Sequence, residues 1–219
     1  MKRDPILITS ALLSALGPLI GNGIWAGPTG DDEQVLAAVR DGLPARAYVA
    51  FGLELVGFAA MVVLFAWLVA FLIRVAPVAA AATGLAGAAT LAVKVGSAAP
   101  AMTAYSLADR LDATTVKMLF DLNDGAFVID GFFTSIAVCA AGVGLLRADI
   151  PRWLAWWPAV VGALGVIAAA IGIITPAAYV PVPFLLLLVW MIALAIRSAM
   201  GGKEAESATA RLSASTMAA

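Results

Sequence analysis

Six stretches of this chain run for twenty or so residues with few charges, near 5–26, 47–73, 76–99, 125–147, 153–174 and 179–199. A helix of about 20 apolar residues crosses a hydrocarbon core about 30 Å thick, and each stretch reaches that length. Of the 219 residues, 63% are hydrophobic and 12% are charged. A soluble fold of this size has no interior large enough to hide so much apolar surface, so lipid must cover part of it. The alternating pattern of a membrane β-barrel is missing. The expected fold is an all-α, polytopic transmembrane bundle of six spans within residues 1–199. The remaining 200–219 is small and polar and reads as a disordered cytoplasmic tail.

Composition also narrows the chemistry. The chain has no histidine and one cysteine, Cys139. This removes His-ligated haem and His-based zinc or iron sites, Ser-His and Cys-His catalysis, thiolate clusters and an intrachain disulfide. Cys139 sits in a small-residue run and reads as packing. No phosphate loop, dinucleotide fingerprint or nucleophile elbow is present. Neither an enzyme nor a bound cofactor is expected. A net charge of −1 gives no basic face for nucleic acid, so membrane lipid is the first partner.

Positive charge predicts orientation. With the N-terminus inside, the cytoplasmic segments hold eight basic residues: Lys2, Arg3, Arg74, Arg147, Arg152, Arg197, Lys203 and Arg211. The outer loops hold four, Arg40, Arg46, Arg110 and Lys117. Both termini are therefore expected inside. Trp25, Tyr48, Tyr105 and Tyr179 fall near outer ends, while Trp67, Trp153, Trp156, Trp157 and Trp190 fall toward inner ends, as interfacial belts would. The start, "MKRDPILITSALLSALGPLI", has the form of a signal peptide. A cut after Ala26 would place Ile24 at the −3 position, so a retained anchor is expected. Of the outer loops, "DDEQVLAAVRDGLP" reads as a short helix, with acids in its first turn and Gly42 and Pro44 beyond its end. In "SLADRLDATTVKMLFDLND", Leu107, Leu111, Met118 and Leu122 suggest an amphipathic helix at the outer interface.

Three ionisable residues lie inside the spans. At about 1.5 Å per residue, Glu54 sits roughly 10 Å below the outer surface, and Lys94 and Asp130 each roughly 8 Å below it. Each shares a face with small or polar residues. Thr83, Gly87, Thr90, Lys94 and Ser97 follow one another along the third span; Asn123, Asp130 and Thr134 share the fourth; Gly57 lies one turn from Glu54. A lone charge at mid-bilayer costs on the order of 2.5–3.5 kcal/mol on insertion scales, and less near an interface. The expectation is that Lys94 lies between Glu54 and Asp130, which leaves one acid in excess and a place for a proton. Asn22, Asn123, Asp124, Thr175 and Tyr179 are expected near the outer mouth of the same polar vestibule.

Two weaker patterns accompany these charges. "LELVGF" around Glu54 is echoed by "VIDGFF" around Asp130, and Pro100 and Pro176 each follow their acid by 46 residues. A parallel repeat of helix pairs would produce this, with Ala170 in the place of Lys94. "TGLAGAATLA" has the small residues of a close helix contact, with Gly84 and Ala88 or Thr83 and Gly87 as pairs.

Taken together, "LNDGAFVIDGFFTSIAVCAAGVGLL" and the following "RWLAWWPAVVGALGV" resemble uncharacterised six-helix bacterial integral membrane proteins of the domain-of-unknown-function type. The resemblance covers the whole six-helix chain and implies the bundle fold in a bacterial inner membrane. It brings no catalytic signature.

Two functions fit the pattern. One is binding or movement of a small solute or proton through Glu54, Lys94, Asp130 and the neighbouring Asn123, Asp124, Asn22 and Ser97. The other is a scaffold or accessory subunit whose buried charges fix helix register.

Overall fold

The computed structural model describes residues 4–175 and 179–217, with side chains as far as Gly201. Among these residues the chain forms helices and no strand: α1 (Pro5–Ile24), α2 (Asp32–Arg40), α3 (Ala45–Leu72), α4 (Pro77–Ser106), α5 (Ala113–Leu145), α6 (Arg152–Ile174) and α7 (Val182–Met217). Six of them, all but α2, are long and apolar enough to cross a membrane. The protein is a multi-pass membrane protein with lipid-facing helices. Exposed Val78, Leu85 and Ile174 are the kind of side chain that lipid covers.

Helix ends follow local chemistry. Asp4 caps α1 by accepting from the Ile6 and Leu7 amides, and Pro5 stands where a missing N–H costs nothing. In α2, the Asp31 side chain accepts from the Gln34 amide and the Gln34 side chain accepts from the Asp31 amide, a reciprocal cap. Gly42 then turns the chain with φ +85°, a conformation glycine adopts without strain.

The spans close into a ring, with α1, α3, α4, α5, α6 and α7 in contact order and α7 back against α1. The Asp4 amide donates to Ser198 Oγ at 3.3 Å, and Trp67 Nε1 donates to Asp4 Oδ2 at 2.7 Å. These bonds place the start of α1, the end of α3 and the end of the α7 span on one face, called here the terminal face. The opposite loop face carries α2 and the ends of α4 and α6. The main core occupies the half of the ring nearer the terminal face, where Leu64, Leu68, Leu72, Leu154, Trp190 and Leu194 are almost fully buried.

Backbones meet most closely where glycine removes a side chain. A Cβ on Gly17 would stand 2.6 Å from the Leu53 carbonyl oxygen, and one on Gly162 would stand 2.6 Å from the Cys139 nitrogen. These contacts join α1 to α3 and α5 to α6, and they account for half-buried Cys139 as packing. The small stripe on α4 faces α3: a Cβ on Gly87 would stand 2.8 Å from Phe65 Cδ2.

Two expectations are corrected. Trp190 is not a belt residue. It is fully buried, with Nε1 donating to the Leu154 carbonyl at 2.9 Å, so its one polar atom is satisfied inside the bundle. The amphipathic segment after Ser106 is not a separate interfacial helix. Asp112 caps the Thr115 amide at 2.7 Å, and α5 then runs unbroken for 33 residues. Beyond Gly201 the backbone of α7 continues as helix to Met217. That stretch lacks proline and is rich in alanine with Lys203, Glu204, Glu206 and Arg211, all strong helix formers.

Candidate functional site

Directly above the main core, toward the loop face, lies a cavity of about 230 Å³. Five helices line it: Pro18, Leu19 and Asn22 from α1, Phe58 and Met61 from α3, Thr90, Leu91 and Lys94 from α4, Phe127, Asp130 and Thr134 from α5, and Pro181 with Phe184, Leu185 and Leu188 at the start of α7. Its floor, Met61 and Leu188, belongs to the core. The walls are mainly apolar, and a few polar groups converge on them, as is usual for a small-molecule site.

Asp130 is the buried charge of this cavity, 6% exposed, and its Oδ1 has no hydrogen-bond partner among the described residues. An unpaired buried acceptor costs roughly 1–3 kcal/mol, and more when charged. One turn deeper, Thr134 Oγ1 and Thr90 Oγ1 share a hydrogen bond of 3.3 Å that ties α5 to α4. The sequence therefore points both stripes inward: Thr83, Thr90, Ser97 and Thr134 are all buried.

Lys94 is held by aromatic faces. It makes no ion pair with any described residue. Its ammonium lies 5.6 Å from the centre of the Phe58 ring and 5.4 Å from that of Phe127. Each face offers about 0.5–2 kcal/mol of attraction, which offsets part of the desolvation of the cation. The Lys94 charge still acts on both Glu54 and Asp130 from beyond contact distance. Glu54 itself lies outside the cavity lining, half-buried against α1. The absent side chain of Gly21 makes its room, since a Cβ there would stand 2.8 Å from Glu54 Cγ.

Of the expected residues, the structure brings Asn22, Lys94 and Asp130 to one cavity. Asn22 spends its amide on the Pro18 carbonyl at 2.9 Å. Ser97 donates to the Lys94 carbonyl at 2.8 Å and is not in the lining. Asn123 is half-buried two turns from Asp130 toward the loop face, and Asp124 is exposed, near Lys117. Tyr179 packs over α5, its ring 6.0 Å from Phe127 and its hydroxyl where a Gly131 side chain would begin. Pro100 falls inside α4, and its expected counterpart Pro176 lies outside the described residues.

The aromatic walls were not anticipated. Phe127 stands three residues before Asp130 and four after Asn123, and Phe58 four after Glu54. This same-face spacing is the signal that marks them. Among the described residues no cluster of His, Cys, Asp and Glu is suited to a metal ion. Compared with models of known families, with curated proteins and with solved structures, the chain matches none of them.

Proposed function

We propose that the protein binds or moves a small solute at the cavity between Lys94 and Asp130, which is entered from the loop face. The observation that carries this reading is Asp130: a buried carboxylate with an unpartnered oxygen, on the wall of a cavity large enough for a ligand. A charge kept inside a bundle at this cost marks a site by default. The packed core beneath the cavity favours access from the loop face. A proton is the simplest alternative passenger, since two carboxylates stand near one ammonium. The distribution of Lys and Arg supports a loop face turned outward, both chain ends in the cytoplasm and a bacterial inner membrane as the setting. No catalytic role is proposed.

A scaffold reading draws on Glu54. Its wedged position at the α1–α3 contact, outside the cavity, suits a residue that fixes helix register.

Melting in detergent of Lys94→Met beside the triple Glu54→Gln, Lys94→Met, Asp130→Asn separates the two. A solute site requires both proteins to be as stable as the parent or better, because the charges then serve something other than folding. Damage by the single change with recovery in the triple would identify a matched structural set and overturn the solute reading.

A further inference from the structure

We infer that the cavity is built for a small zwitterion with an apolar side chain, of the α-amino-acid type, whose ammonium meets Asp130 and whose carboxylate meets Lys94. This rests on the solute reading above and specifies its chemistry.

The two charged walls carry opposite signs and are not in contact with one another. A purely apolar guest would leave Asp130 Oδ1 unpaired. An amine alone would satisfy Asp130 while facing the Lys94 ammonium, and an acid alone would do the reverse. A molecule with both groups on one carbon satisfies both walls, with charge-assisted hydrogen bonds at each end. The remaining lining selects the rest of the guest. Lys94 lies one turn nearer the loop face than Thr90 and Leu91, while Met61 and Leu188 form the floor. The charged end therefore points toward the loop face, and the apolar end down among Met61, Leu91, Phe184 and Leu188.

Size agrees. A cavity of about 150 Å³ holds benzene, with six carbons. By that measure 230 Å³ holds about nine non-hydrogen atoms, the size of leucine. Glu54 stays outside the lining, so it is free to balance Lys94 from the α1 side without competing for the guest.

The test is calorimetric titration of the detergent-purified full chain with three probes of one skeleton: leucine, isopentylamine, which lacks the carboxylate, and 4-methylpentanoate, which lacks the ammonium. Leucine is expected to bind at least about tenfold more tightly than either. Asp130→Asn is expected to weaken leucine about ten- to a hundredfold and to leave 4-methylpentanoate no weaker. Lys94→Met is expected to weaken leucine similarly and to spare isopentylamine. If either variant fails to fold, the ranking of the three probes on the parent decides alone. A one-charge probe that equals leucine, or no leucine binding by the parent, overturns the zwitterion. The solute reading then stands or falls separately, on the melting of Lys94→Met against the triple variant.

Discussion

Lys94 holds a charge that no carboxylate among the described residues touches, and two phenylalanine rings take the place a counter-ion would fill. Phe127→Leu keeps an apolar side chain there but removes one of the two faces. It should destabilise the protein by about 0.5–2 kcal/mol in detergent melting, whereas Phe133→Leu, outside the cavity lining, should not carry this loss. At the loop face, hydrogen bonds from the Thr115 amide and hydroxyl hold the Asp112 carboxyl below its ordinary range. A depressed folded value means that the cap contributes fully above the unfolded value of about 3.9 and is lost as pH falls through the folded one. Melting of the parent should therefore weaken on acidification below about pH 4 more than that of Asp112→Asn, whose neutral cap does not titrate. Lys94, Asp130 and the threonine stripes were legible because polar atoms in an apolar helix have few places to go. Phe58 and Phe127 were not, because an aromatic in such a helix is equally at home against lipid. Trp190 misled for a related reason, since nothing local says that its N–H meets a carbonyl on another helix.

At the scale of elements, the ring is tied by places where backbone meets side chain directly. A Cβ on Gly57 would stand 2.5 Å from Pro18 Cδ, a ring atom with no rotamer to escape into. Gly57→Ala should cost about 1–3 kcal/mol by overpacking. Gly52→Ala, on the same helix with nothing within 4 Å, should be neutral or up to about 1 kcal/mol stabilising. Equal losses for the two variants in thermal melting would show that the α1–α3 contact is not what Gly57 protects. The six spans and the α2 helix were readable from hydropathy and capping residues. The start of α5 was not. Its amphipathic pattern fits a surface helix as well as the outer turns of a span, and only the uninterrupted backbone after the Asp112 cap decides between them.

At the scale of the whole molecule, the proposed orientation is open to direct measurement. In a Cys139→Ala background, Glu33→Cys on α2 should react with an impermeant thiol reagent in intact cells. Ala148→Cys, between α5 and α6, should react only after permeabilisation. The opposite pattern would turn the cavity toward the cytoplasm. The ring also lives in two solvents. At about 1.5 Å per residue, α5 is about 50 Å long, well beyond a hydrocarbon core of about 30 Å. Its first turns carry Lys117, Asp121 and Asp124. There α2 docks: Val35, Leu36 and Val39 pack with Ala104, Ala108, Ala113 and Val116, and Arg40 Nε donates to the Ala108 carbonyl at 3.3 Å. Water drives that miniature core together, whereas helix association within lipid rests on packing and hydrogen bonds. Urea weakens the first kind of assembly and has little purchase on the second. The molecule should thus come apart in two stages, with amide exchange rising across Val35–Arg40 at urea concentrations that leave Leu64–Leu72 protected.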